Sequence, residues 1–377
     1  MSGEQPAIKL VITDLDDTLW RWPLIYVEAY RRMLSALSAD LKITVEQLST
    51  EAREVHRQYH DTEYPLSVLE LASIQARYPE TTLEQRHELL KPYIDIFDQT
   101  YAQHLQPSLF HPVHETLQAL RAGGLKIIGY TDANSCAITK RMVDFGLVEF
   151  YDKIYCRGDH VLEGDVYHPW RAAKEAVGHH RLTVVEKTMA KPQAQVLARI
   201  LADVNATLAA NDQILPGEVL YIGDSLERDM RMVQNFNDTL PDDMFGVIAV
   251  HAQYGRQDDD IYRQHLHNIT RAELMPFMAA ISYWSVEQQA NEDRSNREHH
   301  AIQRHYTLLS NFGELLSIPP IAATLKPVEA MNIADAALAV GSDLGIYHAK
   351  PASPLHGSLT LDSAQSTHTS TSKPALK

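Results

Sequence analysis

The feature that most constrains this chain is the apolar, β-branched run from Ile8 to Thr13, which stops abruptly at Asp14-Leu15-Asp16-Asp17. A short run of this kind reads as a buried strand, and its carboxylates fall where a loop must begin. In open α/β sheets the ligand crevice lies beyond the carboxyl ends of the strands, so the pattern predicts a parallel sheet with its chemistry at this edge. Asp14 and Asp16 are two residues apart, and both carboxylates can converge as the chain leaves the strand. Two such charges repel and raise a pKa unless a cation sits between them. A hard divalent metal with oxygen ligands meets that need. Taken alone, the same residues also suit a polar turn.

A chain of 377 residues leaves room for two domains and a tail, and 45% hydrophobic content supplies a sizeable core. The net charge of −15 argues against a nucleic-acid or anionic-membrane surface, while leaving room for a local basic pocket for one phosphate. Cys136 and Cys156 are too few for a disulfide framework and too far apart for a CxxC site. With no apolar run long enough to span a bilayer and no leader-like N-terminus, a cytoplasmic protein is expected. The pairs His179-His180 and His299-His300 lack the ligand spacing of a structural metal site.

Three further blocks repeat the theme. Leu125 to Thr131 reads as a second strand ending in Thr131, Asp132, Asn134 and Ser135, small polar groups that can serve a phosphate or cap a helix. Ala190-Lys191-Pro192 precedes an apolar-faced helix, with Pro192 expected at its first position. Lys191 would then sit against the helix dipole and want a compensating anion, unless it is simply exposed. Glu218 to Ile222 is another strand, followed by Gly223-Asp224-Ser225 and Asp229.

Between the first two blocks the text is helical. Helices are expected after Pro23, from a capping box at Thr44-Val-Glu-Gln47, over 66–78, and over 83–105 with a kink or break at Pro92. Further strands are expected at 152–156 and 245–250, and a last helix runs from Thr270 to about Trp284. The stretch 158–186 has no readable period and is taken as a small second insertion.

The four blocks, in this order at strand ends, resemble the motifs of the haloacid dehalogenase superfamily, in a phosphoglycolate-phosphatase-like form with a helical cap inserted after the first motif. The resemblance covers about residues 7–284. It implies an α/β, Rossmann-like core over 7–20 and 107–284, with an α-helical cap over 21–106. Beyond it lie a partly helical C-terminal extension over 285–349 and a disordered tail over 350–377.

It also implies a Mg2+-dependent phosphatase acting on a small phosphorylated metabolite. Asp14 would be the nucleophile and a metal ligand. Asp16 would be the general acid/base, touching the metal through its backbone carbonyl, and Asp224 would be a further metal ligand. Thr131 and Asp132 would bind phosphate, Lys191 would neutralise it, and Asp229 and Ser225 would support the site. A dehalogenase attacks carbon and has no need of Asp16, so that residue points to phosphate. A phosphosugar mutase would use the same groups, and a scaffold protein acting through the extension is the rival from another class. Tyr26, Arg31, Arg57, Tyr59, His60 and Tyr64 are cap positions from which specificity could come, while oligomeric state is left open.

Overall fold

Strand β1 (Leu10–Thr13) is buried along its whole length and occupies the centre of a parallel sheet, which is why its sequence is nearly continuous in apolar residues. The computed structural model describes residues 6–159, 170–256, 259–282 and 306–325. Within them the other strands are β2 (Lys126–Asn134), β3 (Lys153–Arg157), β4 (Leu182–Val185), β5 (Val219–Gly223), β6 (Ile248–Ala252) and β7 (Tyr306–Leu309). All neighbours pair in parallel, in the order β4-β3-β2-β1-β5-β6-β7. The chain therefore steps outward from β1 to β4, returns, and steps the other way from β5. That reversal opens a crevice at the carboxyl ends of β1 and β5. Register keeps the ends level, with Thr13 opposite both Gly129 and Ile222.

The expected helical insertion opens with a π-helical turn, Pro23–Val27, followed by α1 (Glu28–Leu41), α2 (Val45–Tyr59), α3 (Ala72–Arg77) and α4 (Leu83–Ser108). The Tyr26 ring is buried edge-on to Phe97 of α4 at 5.6 Å, and the Tyr30 ring packs against Tyr26 and His56 of α2. The core helices are α5 (Val113–Ala122), α6 (Ser135–Asp144), α7 (Arg171–Val177), α8 (Gln195–Asn205), α9 (Arg231–Asn237), α10 (Asp259–His265), α11 (Arg271–Ile281) and α12 (Pro319–Thr324).

Several local expectations change. Helix α4 runs through Pro92 without a break, because Leu90, Ile94, Phe97 and Tyr101 keep one face packed on both sides of it. Residues 65–70 form a 3-10 turn ahead of the short α3 instead of one longer helix. At Thr44 only half of the capping box forms: its hydroxyl accepts from Gln47 N (3.1 Å), but the Gln47 side chain turns to Glu51. The full box appears at Thr270 and Glu273, where the last helix was expected to start, and also at Thr82 and Gln85. Pro192 does not open a helix. It follows a cis peptide bond after Lys191, and α8 begins only at Gln195.

Both edges of the sheet come from stretches assigned elsewhere. Within 158–186, residues 182–185 form β4 beside β3, so this part of the supposed insertion belongs to the sheet. Residues 306–325, placed in the extension, supply β7 beside β6 and α12. There Phe312, Leu315 and Ile321 are fully buried, and Thr324 donates to Ile8 O (3.1 Å). The expected tail at 350–377, the rest of the extension at 285–305 and 326–349, and His299-His300 lie outside the described residues. No helix among the described residues is long and apolar enough to cross a membrane.

Candidate active site

The eight residues given site roles line one cavity of about 490 Å3 at the β1/β5 edge, Asp14, Asp16, Thr131, Asp132, Lys191, Asp224, Ser225 and Asp229, whereas Tyr26, Arg31, Arg57, Tyr59, His60 and Tyr64 of the inserted segment are not among its lining. The loop after β1 is short and tightly bonded. Asp14 N donates to Ile222 O (2.7 Å), Asp17 N to Trp20 O (2.8 Å), and Leu19 N to Leu15 O (2.8 Å). Asp17 adopts a left-handed backbone (φ 56°), which Asp tolerates better than most residues. Tyr254 Oη donates to Thr18 O (2.7 Å). Next to it Gly255 is obligatory, since a Cβ there would lie 1.9 Å from Asp17 O. The Tyr254-Gly255 loop thus clamps the first motif.

Asp14 is buried and ion-paired with Lys191 Nζ. Burial pushes its carboxyl well above the usual carboxylate range, Asp229 and Asp224 add to the rise, and Lys191 opposes it. Lys191 also lies 2.7 Å from Asp229. Burial alone would lower its pKa, but the two carboxylates outweigh burial and keep it charged. The anion that Lys191 was expected to need is therefore a carboxylate pair, and the helix dipole plays no part.

Asp16 points elsewhere. Its Oδ1 accepts from Trp20 Nε1 (2.7 Å), and Arg141 Nε and Nη2 lie 3.4 Å from its two oxygens. Thr131 Oγ1 is 3.5 Å from Asp16 Oδ2 and accepts from Ala133 N (3.0 Å). Burial raises the Asp16 carboxyl to about 7, with Arg141 pulling it down and Glu63 pushing it up.

Beyond β5, Asp224 meets Arg256 Nε at 2.8 Å. Burial would raise this carboxyl, but Arg256, Arg271 and Lys191 together hold it below its ordinary value. Asp229 accepts from Tyr221 Oη (2.7 Å) and Ser225 N (3.0 Å), while Ser225 Oγ caps the following turn through Arg228 N (3.3 Å). Gly223 makes this fold-back possible, because a Cβ there would meet Asp229 Cγ at 2.4 Å.

Carboxylate oxygens of Asp14, Asp224 and Asp229 lie within 4.8 Å of one another. An all-oxygen, buried donor set fits a hard divalent cation such as Mg2+. The Asp132 carboxylate is ion-paired with Arg228 and accepts from Tyr130 Oη (3.3 Å). A carboxylate has no proton to donate to a phosphate, so the expected contact would come from the Asp132 main chain.

Sequence reasoning missed four partners. Arg141 on α6 is fully buried and pairs with Glu63 of the inserted helices through Nη1 (2.5 Å) and Nη2 (3.0 Å). Glu63 also accepts from Trp22 Nε1. The signal for Arg141 was present, since it lies on the apolar face of α6 with Ala137, Ile138 and Met142. Arg256 and Arg271 carried no local signal. Arg271 pairs with Asp17 (2.8 Å) from a helix 254 residues further along.

The sheet is parallel and reverses at its charged edge, where buried carboxylates and one lysine converge. A family model for haloacid dehalogenase-like hydrolases matches residues 8–237, and the chain belongs to that family. Among solved structures it is similar to a 2-haloacid dehalogenase from Pseudomonas syringae (14% identity, 85% of this chain and 100% of that one, TM-score 0.44). It is also similar to a predicted phosphoglycolate phosphatase from Haemophilus somnus (14%, 82% and 97%, TM-score 0.39). A third is a putative Bacillus subtilis HAD-hydrolase bound to magnesium (14%, 83% and 98%, TM-score 0.38). No curated protein matches the sequence.

Proposed function

We propose that this hydrolase is a Mg2+-dependent phosphatase that cleaves a small phosphomonoester through an aspartyl-phosphate on Asp14. The observation that carries this reading is the second carboxyl, Asp16. It lines the same cavity as Asp14 with its pKa raised to about 7, a value suited to giving and taking a proton near neutrality. Displacement at carbon has no use for such a group.

Asp14 attacks phosphorus, and the P–O bond to the leaving alcohol breaks as Asp16 gives that oxygen its proton. Asp16, now a carboxylate, takes a proton from water, which attacks the phosphoryl group and frees Asp14. Lys191 balances the charge of Asp14 and of the phosphoryl oxygens, and the Thr131 hydroxyl donates to one of them. Mg2+, held by Asp14 and Asp224 with Asp229 beside them, would neutralise charge on the phosphoryl group.

Phosphate release from a panel of phosphomonoesters with Mg2+, compared with Asp14→Asn, tests the proposal. Release that requires both the metal and Asp14 supports it. A folded protein silent across the panel rejects it.

A further inference from the structure

Helix α11 lies outside the segment that the family model matches, yet Arg271, Met275, Met278, Ala279 and Ser282 in and just after it line the cavity. Its start is fastened to the first motif by the Arg271–Asp17 pair at 2.8 Å. Its end is fastened to α2. Arg53 donates to Ala280 O (2.8 Å) and Ala279 O (2.9 Å), and His56 Nδ1 shares a hydrogen bond with Ile281 O (2.7 Å). These are carbonyls of the last turn, which have no partner inside a helix and here find one in the inserted helices. The wall is therefore held at both ends.

Three properties bear on what this wall faces. Met275 and Met278 are half-buried, and Met278 packs with Trp22 against the apolar cluster of Leu24, Val27, Tyr262, Leu266 and Leu274. Methionine beside an aromatic ring gives an adaptable apolar surface. The cavity, at about 490 Å3, lies in the range of roughly 300–1,000 Å3 that encloses drug-sized ligands. Its lining carries nine carboxylates against six cationic side chains. With Asp16 protonated and Mg2+ in place these charges balance, and a phosphomonoester then adds close to two negative ones, so a second anionic group on the substrate is disfavoured.

We infer that α11 and Trp22 form the leaving-group pocket, and that the preferred substrate is the monophosphate ester of an uncharged alcohol with a sizeable apolar or aromatic body. This rests on the phosphatase reading above. It makes Trp22, Met275 and Met278 specificity-determining residues, supplied largely by a helix beyond the family's motifs.

The test compares 2-phenylethyl phosphate with 2-phosphoglycolate, both esters of primary alcohols, on the full chain with Mg2+. The kcat/KM ratio should favour the phenylethyl ester by roughly 10–100-fold, and the double variant Met275→Ala/Met278→Ala should lower that ratio about tenfold. Should the variant fail to fold, calorimetric titration of the unaltered protein with 2-phenylethylphosphonate and phosphonoacetate reads the same preference as Kd. Equal or reversed preference overturns the inference while leaving a phosphatase. Preferential phosphonate binding without hydrolysis of either ester supports the pocket and rejects the phosphatase reading. Neither hydrolysis nor binding rejects both.

Discussion

The two sides of the cavity are built differently. On the floor, at the ends of β1, β2 and β5, each carboxylate has a fixed partner: Asp14 has Lys191, Asp16 has Trp20 and Arg141, Asp224 has Arg256, and Asp229 has Tyr221 and Ser225. Along the wall the lining residues between Arg271 and Ser282 are Met275, Met278 and Ala279, joined by Trp22, and the polar ties of α11 lie at its ends. Charged chemistry needs preorganised partners on rigid strand ends, whereas choosing among leaving groups needs only shape and apolarity. Substitutions on the floor should therefore cost far more than those on the wall.

The largest effect belongs to Asp14→Asn, which should lower kcat for phosphate release by roughly 10⁴–10⁶-fold, as loss of a nucleophile does elsewhere. A small loss would move the chemistry off the floor. Asp16 comes next. To donate to the leaving oxygen it must be protonated, and its carboxyl is raised to about 7, so the competent fraction is lost as pH climbs through that value. The profile of kcat/KM should show an alkaline limb with a midpoint near 7. Asp16→Asn should abolish that limb and lower kcat by about 10²–10⁴-fold.

The clamp between floor and inserted helices is the next target. Arg141→Met leaves Glu63 buried without its cation, and urea denaturation should register a loss of about 3–5 kcal/mol. Adding Glu63→Gln should recover part of it, the mark of a coupled pair. Gly255→Ala, with its Cβ driven against Asp17 O, should lose about 1–3 kcal/mol by the same measurement. Smallest is Arg53→Ala. It frees the end of α11 and should cost roughly 1–2 kcal/mol, with hydrogen exchange rising in α11 before the floor. Equal exposure of both regions would erase the contrast between them.

Strand ends with acidic or hydroxyl residues were readable because the signal is local: an apolar run, a change of composition, and a fixed order along the chain. That order was enough to bring Asp14, Thr131, Lys191 and Asp224 into one cavity. The edge strands were not readable. In β4 and β7 only the last residue is buried, and Val184 is 58% and Leu308 50% exposed, so neither shows the alternation or density that marks a strand. They are strands because β3 and β6 offer open edges to pair with.

The sequence by itself determined the parallel α/β core, the inserted helices and the acidic edge where the chemistry gathers, since strand period, helix period and motif order are properties of neighbouring residues. Only the tertiary structure decided which cation answers each carboxylate. Arg256 and Arg271 look on the chain like any surface arginine, and the apolar face that carries Arg141 does not name its acid; the three meet acids 32, 254 and 125 residues away. The same holds for α11. Its text reads as one more capped helix, and it becomes a wall of the cavity because Arg53, His56 and Asp17 hold it there.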